Sequence, residues 1–205
     1  MYGFLGKILR VDLTAGTVRE EPVSESLAKK YIGGRGLGTK YYADEAARDV
    51  DVFSPDNKLI LMTGPLTGTF ATSAGRLMWI SKAPLTGTIG CANSGGQFGP
   101  ELKYAGFDGV IFEGKSKKPV YLYVHGGKAE LRSAEDIWGK TVFETTDLLV
   151  TATDPDARVS CIGPAGEKGV LFANIMNDKH RAAGRGGLGA DRKSTRLNSS
   201  HMPVS

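Results

Sequence analysis

The sequence predicts an α+β fold, internally duplicated and built of β-sheet with a few helices. Three observations predict it. Strands come in runs with occasional helices rather than in strict βαβα alternation. The order hairpin, helix, strand ending in Gly-Pro occurs twice, closing at Gly64-Pro65 and again at Gly163-Pro164. Local echoes add to this: the stretch from Gly33 to Gly38 resembles that from Gly184 to Gly189, and the run from Pro65 to Thr69 returns at 84–88.

Each element follows from its residues. Lys7 to Leu13 and Thr17 to Glu20 are alternating runs around the turn Thr14-Ala15-Gly16, which reads as a β-hairpin. Ser24 or Ser26 can cap a helix carrying Leu27, Ala28, Tyr31 and Ile32, which Gly33-Gly34 stops. A second helix is predicted over 39–47, and buried strands over 58–62 and 77–80, apolar runs set between glycine and proline. Past Ser94-Gly95-Gly96 a short helix is predicted as far as Tyr104, with Gly106 ending it, and then a strand at Val110-Ile111-Phe112. A second hairpin is predicted from residues 120–124 and 128–131 around His125-Gly126-Gly127. A helix over 141–150 and strands over 158–162 and 170–173 complete the reading.

Residues 191–205, DRKSTRLNSSHMPVS, lack glycine and almost all apolar character. They are expected to pack nowhere, as read-through of non-native sequence, leaving 1–190 as one domain cut from a longer protein. Removing Arg192, Lys193 and Arg196 against Asp191 lowers the formal charge from +4 to +2. So small an excess, with no basic stripe interleaved with aromatics, argues against a nucleic-acid partner. No apolar run approaches the ~18 residues of a membrane span, and Met-Tyr-Gly-Phe is no signal region. Cys91 and Cys161 lack CxxC spacing. The expectation is a cytoplasmic protein with two reduced thiols that pack as small core residues.

The 28 glycines among 205 residues are about twice the usual ~7%. Gly184-x-Gly186-x-x-Gly189 is a literal GxGxxG, yet the residues before it, Asn177 to Arg181, are polar, and the strand-loop-helix context of a dinucleotide site is missing. What remains is a set of glycine loops beside Arg35, Arg76, Arg181 and Arg185. Bare backbone amides and guanidinium groups together suit a phosphorylated cofactor. Ser94-Gly95-Gly96 would open a helix whose amino terminus also favours an anion. For Gly16, Gly126 and Gly127 plain turn duty is the better reading. His125 is expected at the surface. His180 stands beside the cofactor motif, with packing and cofactor contact both open.

Longer motifs carry a resemblance over residues 1–190. They are Gly64-Pro65-Leu66-Thr67-Gly68-Thr69, Ser73-Ala74-Gly75-Arg76, residues 81–87, Ala92-Asn93-Ser94-Gly95-Gly96, Ile162-Gly163-Pro164-Ala165-Gly166-Glu167 and Asn174 to Gly187. They resemble the amino-terminal domain of the tungsten-dependent aldehyde:ferredoxin oxidoreductase family. The resemblance implies a base-like α+β domain, with a pseudo-two-fold arrangement, under a tungsten or molybdenum bis-pterin. It implies a Mg²⁺ joining the two pterin phosphates, with Asn93 and the backbone carbonyl of Ala183 (or Ala182) as ligands; hard oxygen donors suit that ion. Arg76 matches the residue between a pterin and a [4Fe–4S] cluster. Ser94, Gly95, Gly96, Arg181, Ala182, Gly184, Arg185, Gly186 and Gly187 fall in pterin-contact segments.

The implied reaction of the full-length, anaerobic enzyme is aldehyde oxidation to a carboxylate, with electrons passing through the cluster to ferredoxin. Two cysteines cannot ligate such a cluster, which needs four thiolates. Cluster and catalytic residues are therefore expected outside this chain, which alone would be inactive. A homodimer is left open. The alternative class is a non-catalytic binding or interaction module on the same fold; a nucleotide-binding enzyme ranks third.

Overall fold

The computed structural model describes residues 2–195 and 197–202, with side chains as far as Asp191. Among the described residues, twelve strands form two six-stranded sheets. The first holds β1 (Lys7–Asp12), β2 (Thr17–Pro22), β3 (Leu59–Thr63), β4 (Leu77–Lys82), β5 (Ile89–Ser94) and β6 (Gly109–Glu113), in the order β2-β1-β6-β3-β4-β5. The second holds β7 (Val120–His125), β8 (Lys128–Ser133), β9 (Arg158–Cys161), β10 (Ile175–Asn177), β11 (Arg181–Ala183) and β12 (Leu197–Met202). Read from its β8 edge the order is β8-β7-β12-β9-β10-β11, the same plan strand for strand. In each sheet the last strand enters the middle, parallel to the first strand of its half and antiparallel to the third. The α+β class and the duplication are therefore both present.

Alternation of side chains across each pleat decides the layers. From the first sheet Leu9, Val11, Leu61, Leu77 and Trp79 face Leu122, Val124, Ile162 and Ile175 of the second half in one buried core. The other face of the first sheet, with Ile8, Ile60, Met62 and Ile80, is covered by helices α1 (Glu25–Tyr31) and α2 (Gly34–Glu45) through Ala28, Leu37, Tyr41 and Tyr42. Tyr121, Val159 and Cys161 on the outer face of the second sheet meet Ile137 and, from α4 (Val142–Ala152), Leu149. Helix α3 (Phe98–Tyr104) adds Phe98 and Leu102 to the central core. The short helix α5 (Pro164–Glu167) follows β9, and α6 (Leu188–Thr195) leads into β12.

Local chemistry explains where helices begin. Thr141 and Glu144 form a complete capping box at the start of α4. Helix α2 begins at Gly34, ahead of the predicted 39, because its glycines are contact points. A Cβ on Gly38 would lie 2.5 Å from Cδ1 of Ile80, so glycine lets the helix settle onto β4. The carboxyl end of α2 is fastened by Arg10, 6% exposed, which forks onto Glu45 at 2.7 and 2.9 Å and onto Glu21 at 2.9 and 3.0 Å. Arg10 in turn holds the Glu21 carboxyl below its usual range. A depressed carboxyl pKa supplies stability above its unfolded value, near 4.3, that disappears as pH falls through the folded value. Arg10→Met should cost about 3 kcal/mol at neutral pH, the low end for breaking a buried pair. It should also flatten the acid limb below roughly pH 4.5; urea melts across pH 3–7 check both.

Several expectations need correction. Residues 170–173 form no strand: Leu171 and Phe172 are exposed turn residues. Strands β5, β10 and β11 were not foreseen. The first is a half-exposed edge strand containing Gly90, Asn93 and Ser94, and the other two have three residues each, so none carries an apolar alternation. Of the sequence echoes, only Gly64-Pro65 and Gly163-Pro164 are topological equivalents, each following the third strand of its half. The segment 33–38 opens α2, whereas 184–189 leads from β11 into α6.

The expectation that 191–205 packs nowhere is also corrected for its described residues; 196 and 203–205 lie outside them. Residues 191–195 continue α6, and 197–202 form β12 between β7 and β9. Backbone pairing needs no side-chain pattern, and without β12 both neighbours would present unpaired edges in mid-sheet. Asp191 is fully buried, taking bonds from Asn57 Nδ2 and Ser81 Oγ at 3.1 Å each. Burial, with the Asp191 charge beside it, pushes the Tyr42 hydroxyl up to about 12.

Candidate functional site

Pairing of β4 with β5 sets Leu77 opposite Ser94 and Met78 opposite Asn93. Arg76, just ahead of β4, therefore stands beside Asn93, and its Nη1 donates to Asn93 Oδ1 at 2.5 Å. The other end of the Asn93 amide donates to the Leu77 carbonyl at 3.3 Å. From the second half, β11 packs against β5, which brings Arg181 and Ala182 to the same place. The result is a cleft of about 430 Å³ lined by Ser73, Gly75, Arg76, Ser94, Gly95, Gly96, His180, Arg181 and Ala182.

Six predicted cofactor residues, Arg76, Ser94, Gly95, Gly96, Arg181 and Ala182, thus share one wall-to-wall cavity. Asn93 adjoins it through Arg76. Ala183 is buried and registers with Ile175 in the β10–β11 ladder. Gly184, Arg185, Gly186 and Gly187 do not line the cleft. Two of them are close-packing points: a Cβ on Gly186 would meet Ala83 Cβ at 3.0 Å, and one on Gly187 would lie 1.6 Å from the Leu171 carbonyl oxygen.

Two arginines and no carboxylate in the lining make this an anion-attracting cavity. Glycine makes its walls close and bare. A Cβ on Gly75 would come within 2.8 Å of the Gly96 carbonyl, while one on Gly95 would have Arg76 Nε, 4.0 Å away, as its nearest neighbour and would fill cavity space. His180 packs edge-on against Phe143, centroids 5.5 Å apart, and its residue also lines the cleft. His125 is exposed and stacks on Tyr123. Among the described residues no group of three or more His, Cys, Asp or Glu side chains could hold a metal, and no helix is long and apolar enough to cross a membrane.

One functional position escaped the sequence reading. The amino terminus of α3, expected to attract a ligand anion, is taken by the chain's own Asp178. Its Oδ2 accepts from Gln97 N at 2.8 Å. Burial pushes the Asp178 carboxyl upward; the Gln97 amide, then Arg158, and more weakly the Phe98 amide and Arg181, pull against it. Beside it Glu101, 6% exposed on α3, is likewise raised, mainly by burial. The available signal was an Asn-Asp pair between short strands, residue types that tolerate left-handed turns.

Comparison with known proteins adds three findings. The family model described as "Aldehyde ferredoxin oxidoreductase, N-terminal domain" matches residues 8–199. Tungsten-containing aldehyde ferredoxin oxidoreductases from Pyrococcus abyssi and Pyrococcus furiosus are 55% and 50% identical, each match covering 93% of this chain and 32% of the relative. An aliphatic sulfonate oxidoreductase, WOR-like subunit, from Pyrococcus furiosus is 39% identical, again over 93% of this chain and 33% of the relative. Among solved structures, the active-site complex BamBC of benzoyl coenzyme A reductase with 1,5-dienoyl-CoA superimposes with a TM-score of 0.97 at 36% identity, over 100% of this chain and 31% of that one. The chain spans about a third of the length of the curated relatives it matches.

Proposed function

The chain belongs to the aldehyde ferredoxin oxidoreductase family, as its amino-terminal domain, and on that premise we propose that its arginine-lined cleft seats the phosphate-bearing end of a tungsten-pterin cofactor in a longer, aldehyde-oxidising enzyme. The observation that carries this is the meeting of Arg76 from one half with Arg181 from the other around Gly95 and Gly96, with no carboxylate in the lining. The donor set fits: guanidinium groups grip phosphate oxygens in pairs, and glycine lets pterin rings or phosphates reach backbone amides.

In this reading Arg181 and the 94–96 amides bind and orient the phosphates. Asn93 Oδ1, which has a second lone pair beyond the one taken by Arg76, would be the Mg²⁺ ligand from the first half, and the backbone carbonyl of Ala183 or of Ala182, which lines the cleft, would be its counterpart from the second. Arg76 would supply a fixed positive charge to the anionic pterin and to a [4Fe–4S] cluster ligated elsewhere in the enzyme. When bound, the metal-pterin would supply the two-electron chemistry of aldehyde oxidation, and ferredoxin would accept the electrons. Aldehyde is the substrate class because relatives at 48–55% identity carry that name, while the sulfonate oxidoreductase stands at 39% and the benzoyl coenzyme A reductase complex at 36%.

The test is made on the full-length protein purified anaerobically. It should contain tungsten and reduce ferredoxin when given an aldehyde. Arg181→Ala should lower tungsten per protein by about tenfold or more, since a hydrogen bond to a charged group is worth ~1.5–3 kcal/mol. Wild-type protein that holds no tungsten and shows no aldehyde-dependent reduction would refute the reading.

A further inference from the structure

The cleft depends on a spacing between halves that no residue in contact with a phosphate could fix by itself. We infer that Asp178, assisted by Asn177, is a positioning residue that locks the 94–97 glycine loop of the first half to the Arg181 turn of the second. This rests on the phosphate-seating reading of the cleft.

Four observations support it. Asp178 Oδ2 takes the Gln97 amide at 2.8 Å, and Asn177 Nδ2, fully buried, donates to Ser94 Oγ at 2.8 Å. The loop is stitched at both ends to one turn. Next, a Cβ on Gly96 would lie 2.5 Å from Asp178 Oδ2 and 3.1 Å from Arg181 Cγ, so the loop is pressed flat against the residues that hold it. Third, Asp178 and Lys179 have φ of +48° and +64°, left-handed conformations that non-glycine residues adopt only under strain. Strain of that kind persists where surrounding contacts over-determine it; here the Asp178 amide donates to the Val159 carbonyl and Lys179 pairs with Asp147. Finally, Asp178 is not part of the cleft lining, although residues 95, 96 and 181 beside it are.

The duplication gives the lock a counterpart. The turn between β4 and β5 supports the second half's glycine loop in the same way: Leu85 N donates to the Gly186 carbonyl at 3.2 Å, beside the close approach of Gly186 to Ala83. Each half's tight turn thus braces the glycine loop of the other. A lone turn could drift with its own sheet; crossed braces tie both loops to both sheets.

The experiment titrates inorganic pyrophosphate into the full-length protein freed of its cofactor and follows amide hydrogen exchange by mass spectrometry. Asp178→Ala should weaken pyrophosphate about tenfold, at the low end of the ~10–100-fold seen for outer-shell partners. It should also speed exchange at residues 181–183, beyond the substituted turn. Asp178→Asn, which keeps an acceptor for the Gln97 amide, should stay within about threefold of wild type. Unchanged pyrophosphate affinity in folded Asp178→Ala would overturn the proposal, and so would tighter binding in Asp178→Asn, the sign of direct contact with the anion. Should Asp178→Ala fail to fold, Asn177→Ala, which removes only the Ser94 bond, should weaken pyrophosphate by about threefold; no change would overturn the proposal. Wild-type protein that ignores pyrophosphate would sink the phosphate reading of the cleft instead. The brace would then be decided by exchange at 181–183: faster in Asp178→Ala but not in Asp178→Asn supports it, and equal rates in all three proteins reject it.

Discussion

Asp108→Ala should destabilise the chain by about 3–5 kcal/mol, the cost of leaving one member of a buried ion pair uncompensated. Asp108 is 1% exposed and Lys103 9%. Lys103 Nζ donates to Asp108 Oδ1 at 2.6 Å and to the Gly3 carbonyl at 2.7 Å. The same carboxylate accepts the amides of Leu5, at 2.9 Å, and Gly6, at 2.7 Å. One side chain therefore ties α3 to the segment leading into β1. Truncation buries a lone ammonium and orphans two amides. At roughly 2–4 °C per kcal/mol for a chain of this size, the melting temperature should fall by about 10 °C. Asp108→Asn retains an acceptor oxygen but loses the charge, so it should fall between the two. A loss below about 1 kcal/mol in Asp108→Ala would show that Lys103 finds water by moving outward, and the pair would not be the anchor described.

Gly187→Ala is the second large effect. Gly187 has φ of +73°, and its missing Cβ would sit 1.6 Å from the Leu171 carbonyl oxygen and 2.6 Å from its carbon. The left-handed conformation costs alanine roughly 1–2 kcal/mol, and moving the 170–172 backbone aside adds ~1–3 kcal/mol of overpacking. A total of about 2–5 kcal/mol is expected in a thermal or urea melt. Gly184→Ala is the control. Its Cβ would meet nothing nearer than Asn174 Oδ1 at 3.7 Å, so stability should change by less than about 0.5 kcal/mol. The contrast separates two duties inside one glycine-rich motif. A stable Gly187→Ala protein that had lost its cofactor would assign Gly187 to the ligand and not to packing.

Much of this architecture was legible because hairpins announce themselves. Both glycine-turn hairpins, the buried strands β3, β4 and β6 and the capped helix α4 have periodicities or caps that survive any tertiary context. The duplication could be read from element order, although neither of the two local echoes joins equivalent positions of the two halves. Asn93 and Ser94 were recognised through their motif, yet the strand carrying them was not, because an edge strand with one face to a cavity shows no alternation. Asp178 was illegible for a different reason. Its partner, the Gln97 amide, lies 81 residues away, and no local pattern encodes a carboxylate that caps a helix of the other half. Nor could composition show that Gly187 serves packing while Gly95 opens onto the cleft, since both demand the same missing side chain.

The parallel pairing of β1 with β6 has a consequence for biosynthesis. Leu9 waits for Val110 and Val11 for Phe112, so the first hairpin leaves the ribosome about a hundred residues before its inner neighbour exists. At ~5–20 residues per second that delay is on the order of ten seconds. For that interval β1 displays an unsatisfied ladder on a nascent chain, and the same wait recurs when β7 is made ahead of β12. Slow elongation between the hairpin and the closing strand would prolong exposure, making each half a client for chaperones that shield bare strand edges.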